Sequence, residues 1–274
     1  MSTAVITLSA PDLLVIGATG LLGRRLLASP GGRVAATHHR SPPHSTGPDW
    51  HPLNLRDGGA QAAALIESIR PRSVVNAAYV QGGDDLRTVT AEAPGAIAAA
   101  CRHVGARFVH VSTDVVFDGT TPRPYVESDP PSPVHDYGRA KADAERLVAS
   151  ADPTAVIVRT SLLYGDPADP GPQVEMTTDP DVTFYNDEFR SPLPVVALAA
   201  ACLELAGRPE ITGLLHVAGS ETMDRLEFAR MVAPLVGIDP ATLRGGPGSV
   251  DTDRPSNCPL DSRLARSLLS TALP

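Results

Sequence analysis

Tyr137 and Lys141 are the residues whose types and spacing point most clearly to chemistry. They lie four positions apart in "HDYGRAKADAERL" (residues 135–147), which has helical spacing, so both side chains project from one helix face. Lys141 is also the only lysine among the 23 Lys and Arg residues of the chain. A fixed ammonium nearby can lower the pKa of a phenol from its usual ~10 and also donate to a ribose hydroxyl, whereas a guanidinium is shaped for carboxylates and phosphates. We predict a tyrosine acid tuned by a lysine; the alternative is that the single lysine falls here by chance.

A hydroxyl at the end of a strand would complete this set. "RFVHVS" (residues 107–112) has the apolar composition of a buried strand, and Thr113 follows it. Ligands bind at the carboxyl ends of strands in an open α/β sheet, so we predict that Thr113 donates a hydrogen bond to a substrate carbonyl. Ser112 is predicted to be a buried strand-end hydroxyl, and Arg159 a structural ion-pair partner.

The elements that must position these residues alternate between strands and helices. Short apolar runs separated by helical stretches occur at residues 13–17, 33–37, 73–78, 107–112 and 154–160. The alternation predicts an α/β fold, a Rossmann-type doubly wound parallel sheet with helices on both faces.

The pattern changes after Gly165, where proline-rich loops and scattered elements replace the alternation. We predict an NAD(P)-binding Rossmann domain over residues 1–165. Residues 166–274 would form a smaller substrate-binding lobe, with the chain free to cross back to the main domain.

A glycine turn joins the first strand to the first helix. In "GATGLLG" (residues 17–23), glycines let backbone N–H groups approach a pyrophosphate at the helix N-terminus. The predicted cofactor-binding residues of this turn are Gly17, Thr19, Gly20, Leu22 and Gly23. The spacing is GxxGxxG, and a purely structural turn is the alternative.

The second strand indicates which dinucleotide binds. It ends in "THHRS" without the carboxylate that accepts the ribose hydroxyls of NAD. Arg40 could instead pair with a 2′-phosphate, which predicts NADPH; if Arg40 is only a solvated loop residue, NADH remains possible. "LNLRD" (residues 53–57) is predicted to border the adenine, with Asn54 or Asp57 as the hydrogen-bond partner.

Several motifs together resemble one family. They are GxxGxxG, "NAA" at residues 76–78, "VSTDVVFDG" at 111–119, "PYVESD", "YGRAK" and "RPSNCPLD" at 254–261. The chain resembles an extended short-chain dehydrogenase/reductase of the dTDP-4-dehydrorhamnose reductase-like, sugar nucleotide-binding family. The resemblance implies NAD(P)H-dependent reduction of a keto group on a nucleoside-diphosphate sugar. In it Tyr137 is the proton donor, Lys141 its tuner and ribose anchor, and Thr113 the carbonyl hydrogen-bonder.

The resemblance also implies further site residues. Asn76, Ala77 and Ala78 would contact the cofactor, and Asp114 and Val115 would belong to the loop that encloses the substrate. For the diphosphate the candidates are Arg190 and Arg254, because guanidinium groups suit phosphate oxygens. The alternative is that either arginine is an exposed loop charge.

Two departures from the family pattern leave other functions open. Val115 replaces the usual tyrosine of "STDYVFDG", and Thr90 stands where relatives often carry an asparagine. The alternatives are a nucleotide-sugar epimerase that retains NAD, a tailoring ketoreductase of natural-product biosynthesis, and a non-catalytic nucleotide-binding regulatory subunit.

Composition limits the partners. A net charge of −8 opposes nucleic-acid binding, no apolar run reaches the ~18 residues of a membrane span, and no Cys or His spacing suits a metal. We therefore expect no nucleic acid, no membrane and no metal. With three unrelated cysteines and no signal peptide, we expect a cytoplasmic protein that could form a homodimer.

Overall fold

A parallel sheet forms the centre of the molecule in a computed structural model that describes residues 10–28, 32–41, 43, 46–248 and 254–274. Within those ranges the sheet has seven strands. In sheet order they are β11 (Gly213–His216), β6 (Val156–Thr160), β5 (Arg107–Thr113), β4 (Ser73–Asn76), β1 (Leu13–Ile16), β2 (Val34–His38) and β3 (Asp49–Pro52). All neighbouring pairs are parallel.

Helices cover both faces of this sheet. α1 (Leu21–Ala28), α6 (Val195–Ala206) and α8 (Arg263–Leu268) pack on one face. α2 (Ala60–Ile69), α3 (Ala93–Val104) and α4 (Asp136–Ala151) pack on the other. Because helices cover both faces, the inner strands are largely buried and apolar, as in the fully buried "LLVI" of β1, whereas the edge strand β3 is polar and partly exposed. The predicted doubly wound α/β fold is confirmed.

The helical stretch between β4 and β5 is not one regular α-helix. Leu86–Glu92 forms a π-helix, and α3 begins only at Ala93. Pro94 has no N–H to donate to the preceding turn, so regular α-helical hydrogen bonding cannot run through it. In the described part of the chain, no helix combines the length and apolar character needed to cross a bilayer.

The chain after Gly165 builds small ladders beside the carboxyl ends of the strands. β7 (Leu163–Tyr164) pairs with β10 (Leu193–Pro194), β8 (Thr183–Tyr185) with β13 (Arg244–Gly246), and β9 (Phe189–Arg190) with β12 (Met223–Asp224). α5 (Pro172–Glu175) and α7 (Arg225–Val232) pack around two small apolar clusters. Between these ladders the chain returns twice to the main sheet: α6 packs on one face of the sheet, and β11 pairs with β6 at its edge.

A buried histidine at the end of β11 makes stability depend on pH. His216 is fully buried; its Nδ1 lies 3.1 Å from the Tyr125 carbonyl oxygen and Arg159 Nη1 lies 3.4 Å from its Nε2. Burial, then the Arg159 charge, lowers the pKa of His216 to about 4.

Below pH ~6.5, the usual pKa of histidine, His216 is protonated in the unfolded chain but stays neutral in the folded protein. Its full contribution to the free energy of unfolding is therefore present above pH ~6.5 and is lost as the pH falls. We expect this residue alone to remove about 3 kcal/mol of the free energy of unfolding by pH 4. Urea unfolding at pH 4–7 measures it, and His216→Gln should flatten the dependence by about one proton. An equally steep dependence in that variant would contradict the assignment. Some slope should remain from His110, whose pKa burial also lowers.

Candidate active site

A cleft of about 1090 Å³ lies at the carboxyl ends of the central strands. Its walls come from the glycine turn after β1, the segment after β4, the end of β5, the first turns of α4 and the ladders of the C-terminal part. Twelve of the predicted site residues line it: Gly17, Gly20, Leu22, Gly23, Ala77, Thr113, Asp114, Val115, Tyr137, Lys141, Arg190 and Arg254. The volume exceeds that of most single-ligand pockets, which suits a dinucleotide together with a second ligand.

The three glycines of the turn have different structural reasons. Gly17 has φ +85°, and a Cβ there would lie 2.8 Å from the Ala78 nitrogen. A Cβ at Gly23 would lie 2.2 Å from the Gly17 oxygen, so both positions must be glycine for the turn to close. Gly20 is exposed to the cleft, and α1 begins directly after it with no acidic residue in its first turn. Unpaired N–H groups and the positive helix end therefore face the cleft, and this fits a pyrophosphate.

Lys141 is held beneath this cleft by α4. Only 3 % of the residue is exposed, and Nζ donates to the Val111 carbonyl oxygen at 2.8 Å. Nζ also lies 5.4 Å from the centre of the Tyr79 ring, over its face. Burial lowers the pKa of Lys141 to about 8, while Glu145 opposes the fall. The amine is thus a partly labile proton donor near neutral pH, which an arginine cannot be.

Tyr137 departs from the sequence expectation about its pKa. Lys141 was expected to lower it, but in the structure burial, with Tyr79 and Asp114 adding to it, raises the pKa of Tyr137 well above 10. The Tyr79 and Tyr137 ring centres lie 5.7 Å apart, and Lys141 is hydrogen-bonded to Val111 instead of the phenol. Tyr137 therefore keeps its proton at neutral pH.

Thr113 ends β5 with its hydroxyl in weak local hydrogen bonds. Its Oγ1 donates to Asp114 Oδ1 at 3.2 Å and accepts from the Val115 N–H at 3.3 Å. Asp114 is 3 % exposed, and its Oδ2 accepts from Ser161 Oγ at 2.6 Å. Burial raises the pKa of Asp114, and the nearby Arg190 opposes that shift. The threonine hydroxyl can therefore turn to a ligand without leaving a strong bond.

Thr90 fixes the segment that carries Tyr79. Its buried hydroxyl accepts from the Val80 N–H at 2.9 Å and donates to the Val80 carbonyl at 2.8 Å. Thr90 belongs to the π-helix, a distortion often found at functional sites. The residue that replaces the family asparagine thus holds Tyr79 against Tyr137 and Lys141.

Arg190 lines the cleft, but its hydrogen-bonding capacity is used within the protein. One terminal nitrogen, Nη1, donates to the Phe189 and Ser256 carbonyls, and Nη2 donates to Glu188 Oε1 and the Pro255 carbonyl. Nε lies 3.6 Å from Asp114 Oδ2. The structure therefore gives Arg190 the role of joining the carboxylates to the 255–256 backbone, in place of the predicted diphosphate contact.

Two other arginines of the cleft have side chains available to a ligand. Arg254 is exposed, with its guanidinium 5.9 Å from the centre of the Tyr185 ring. Arg225 is the first residue of α7, whose start is fixed by a capping box between Asp224 and Glu227. Among the residues that the structure describes, neither guanidinium has a hydrogen-bond or ion-pair partner. Burial lowers the pKa of Arg225, but an arginine stays charged at neutral pH.

Other predicted cofactor residues lie outside the cleft wall. Asn76 is buried; its Oδ1 accepts from the Ala78 N–H at 3.1 Å and its Nδ2 lies 3.3 Å from His110 Nδ1. Asn54 accepts from the Arg56 N–H at 3.1 Å and caps a short 3₁₀ helix instead of facing the cleft. The Thr19 carbonyl accepts from Arg24 Nη1 at 2.6 Å. Arg40 is exposed just beyond β2, and its contact with a 2′-phosphate stays a prediction.

Sequence reasoning missed some residues of the cleft and identified others correctly. Tyr79 directly follows the strand-end "NAA" motif, and this position at the ligand-binding edge could have identified it. Arg225 and Glu188 had no comparable signal, because their place depends on loops. Ser112 and Arg159 have the predicted structural roles, since both bind the buried Glu145 carboxylate.

The fold and the cleft together define a class of protein. A doubly wound parallel sheet, a glycine turn at the start of α1, and a Tyr–Lys pair one helical turn apart beside a strand-end threonine characterise an extended short-chain dehydrogenase/reductase. Residues 11–274 match the family described as RmlD substrate binding domain, so the chain belongs to that family.

Relatives and solved structures agree with this assignment. The chain is 31% identical over 268 residues to a probable low-salt glycan biosynthesis reductase, Agl14, of Haloferax volcanii, covering 91% of this chain and 88% of the relative. It is 32% identical over 250 residues to a probable dTDP-4,6-dihydroxy-2-methyloxan-3-one 4-ketoreductase of Streptomyces antibioticus (86% and 81%). It is 30% identical over 290 residues to methionine adenosyltransferase 2 subunit beta of Rattus norvegicus (93% and 82%). A hypothetical dTDP-4-dehydrorhamnose reductase from Sulfolobus tokodaii superposes with a TM-score of 0.80 at 29% identity, covering 96% of each chain.

Proposed function

We propose that the protein is an NADPH-dependent reductase that delivers hydride to a keto group of a nucleoside-diphosphate keto-sugar. The observation that carries the proposal is the meeting of Thr113, Tyr137 and Lys141 in one cleft with Arg225 and Arg254, whose guanidinium groups have no partner among the described residues. Two relatives are probable reductases, one of them a ketoreductase of a dTDP-sugar, and the similar solved structure is a hypothetical dTDP-4-dehydrorhamnose reductase.

The glycine turn and the start of α1 would hold the cofactor pyrophosphate, and Lys141 would hold the nicotinamide ribose. The absence of a carboxylate at the end of β2, together with Arg40, favours NADPH over NADH. When bound, the nicotinamide supplies the hydride. The chain's own residues then have to orient the ketone, supply one proton and exclude water.

Tyr137 is the proposed proton donor to the carbonyl oxygen. Its raised pKa keeps the proton on the phenol until negative charge develops on the ketone oxygen. Thr113 would donate a second hydrogen bond to that oxygen, since its present bonds are long. Lys141 would stabilise the phenolate that remains after transfer.

The charges of the cleft indicate how the substrate lies. The buried carboxylates of Asp114 and Glu188 border Arg190 beside the threonine, and they would repel a phosphate. The neutral sugar therefore suits this region, next to Thr113. The diphosphate suits the free guanidinium groups of Arg225 and Arg254.

This orientation makes a prediction about affinity. Arg225→Ala and Arg254→Ala should each raise KM for the sugar nucleotide about 10- to 100-fold, the value of a charge-assisted hydrogen bond, with kcat within a few-fold of wild type. Initial rates at saturating NADPH measure this. Arg230→Ala, an exposed arginine on the same helix, is the matched control and should leave KM unchanged. A normal KM in both cleft variants would place the diphosphate elsewhere.

The deciding experiment follows NADPH absorbance with purified protein. We expect oxidation only when a keto-sugar nucleotide such as dTDP-4-dehydrorhamnose is added. The dinucleotide that copurifies is identified in parallel, because tightly retained NAD without net turnover would indicate an epimerase. No turnover with any keto-sugar nucleotide would favour a regulatory role, as the similarity to methionine adenosyltransferase 2 subunit beta suggests.

We also propose a cytoplasmic location and leave a homodimer as a prediction. Cys101, Cys202 and Cys258 are free and buried, in keeping with a reducing compartment. Size-exclusion chromatography with light scattering measures the oligomeric state.

A further inference from the structure

We propose that Glu145 is a positioning residue of the active site: its buried carboxylate ties α4 to β5 and β6 and keeps the Lys141 ammonium charged beneath Tyr137. Nothing in the mechanism above uses Glu145. The effect of Glu145 on turnover rests on the proposed function, because it acts through Lys141. Its effect on the charge of Lys141 does not depend on that function.

The Glu145 carboxylate joins three elements. Glu145 is 5 % exposed, and Oε1 accepts from Ser112 Oγ at 2.6 Å and from Arg159 Nε at 2.9 Å. Oε2 accepts from Arg159 Nη2 at 2.7 Å, which completes a bidentate pair with a fully buried guanidinium. Ser112 directly precedes Thr113 on β5, and Arg159 lies near the end of β6. The carboxylate therefore fixes the distance between the helix that carries Tyr137 and Lys141 and the strand that carries Thr113.

Glu145 is also one helical turn beyond Lys141, so the two side chains lie on one face of α4. Among the described residues, groups from the other elements packed against Lys141 supply no compensating negative charge. His110 of β5 is buried with its pKa lowered well below 6.5, so it is neutral at pH 7, and Tyr79, after β4, contributes a neutral ring. Tyr137, on the same helix, keeps its proton. Glu145 is thus the carboxylate that opposes the effect of burial on the ammonium, and it acts through space, because its ion pair is with Arg159 and not with Lys141.

A buried ion pair alone is a weak reason for stability, because desolvation cancels much of the attraction. The placement of this pair suggests another benefit. The Arg159 guanidinium lies 4.9 Å from the centre of the Phe117 ring and satisfies both carboxylate oxygens, so the anion is held rigidly where Lys141 needs it.

The single lysine of the chain makes a direct test practical. Protein labelled with [13Cε]lysine gives one side-chain resonance, whose titration reports the charge of Lys141 without substrate or cofactor. We expect a pKa near 8 in the wild-type protein and about 7 or below in Glu145→Gln, where the anion is gone. Asp143→Asn removes an exposed carboxylate from the same helix and should leave the titration unchanged. Glu145→Asp retains the charge and should restore most of the wild-type value.

Kinetics supply the second measurement. As Lys141 loses its proton at a lower pH, the alkaline limb of kcat/KM in Glu145→Gln should move to lower pH by about as much as the NMR titration, because kcat/KM reports the groups of the free enzyme. If the wild-type protein does not reduce keto-sugar nucleotides, the kinetic measurement fails while the NMR measurement stands. An unchanged Lys141 titration in folded Glu145→Gln would overturn the inference even if the enzyme is active.

Glu145→Gln leaves Arg159 charged and buried, which can prevent folding. Glu145→Gln combined with Arg159→Gln removes both charges and leaves two amides able to hydrogen-bond. Because Glu145 is the charge that acts on Lys141, the paired variant should lower the titration in the same direction. A value at or above that of the wild type would contradict the proposal.

Discussion

Tyr137→Phe should lower kcat by about 10²- to 10⁴-fold, the usual contribution of a positioned general acid. The variant removes one hydroxyl and keeps the ring that packs against Tyr79 at 5.7 Å and against His135 at 6.2 Å between centres. The cleft should therefore keep its shape, and the affinity for NADPH should change little. The loss is expected because the Tyr137 phenol holds a proton at neutral pH, whereas phenylalanine has none to donate.

Stopped-flow reduction with saturating NADPH and dTDP-4-dehydrorhamnose measures the effect, together with NADPH binding by fluorescence titration. Tyr164→Phe is the matched control, since Tyr164 is half-buried beside Phe228 and outside the cleft wall. Full turnover in Tyr137→Phe would rule out the assigned acid, whereas equal losses in both variants would point to a general effect of removing a phenol.

The parts of this site that the sequence predicted are the local ones. Helical spacing over residues 137–150 placed Tyr137 and Lys141 on one face, and α4 indeed spans Asp136–Ala151. The glycine spacing after an apolar run identified the turn, because only a glycine fits where Gly17 meets the segment after β4. Patterns of this kind depend on neighbours within a few residues, and the sequence records them directly.

The parts that the sequence did not predict depend on contacts between distant residues. From the sequence, Arg190 was a plausible phosphate ligand. In the structure its guanidinium donates to the carbonyls of Pro255 and Ser256, which lie more than 60 positions away in the chain. The pKa of Tyr137 rises instead of falling because burial of the phenol dominates, with Tyr79, whose ring centre lies 5.7 Å away, adding to it. No periodicity or motif encodes such contacts, so charge and solvent exposure in the cleft could be read only from the structure.

The same limit applies to the lone lysine. Its rarity in the sequence suggested a special role, but the chemical reason depends on the burial of the amine. Lys141 is only 3 % exposed, and its Nζ donates to the Val111 carbonyl oxygen at 2.8 Å. The space around the amine is therefore small. This environment lowers the pKa of Lys141 to about 8. The charge at this position therefore depends on pH near neutrality, as the charge of an arginine would not.

Lys141→Arg tests this reasoning with the positive charge retained. A guanidinium is wider than an ammonium and does not lose its proton, so it can reproduce neither the close Val111 contact nor the position under Tyr79. Overpacking of this space should also displace Tyr137, which lies one turn away on α4. We expect kcat/KM to fall about 10²-fold or more, with part of the loss in NADPH affinity because the ribose loses its donor.

Arg139→Lys makes the reverse exchange two residues earlier on the same helix, where the side chain is exposed, and should stay within two-fold of wild type. Circular dichroism and thermal unfolding separate a folding defect from a catalytic one. If folded Lys141→Arg keeps wild-type kcat/KM, a positive charge at this position is sufficient, and the size and proton lability of the lysine have no part in catalysis. If folded Lys141→Arg loses activity as expected, the steric fit beneath Tyr137 and the pKa near 8 explain why position 141 is a lysine. Every other residue among the 23 Lys and Arg residues of the chain is an arginine.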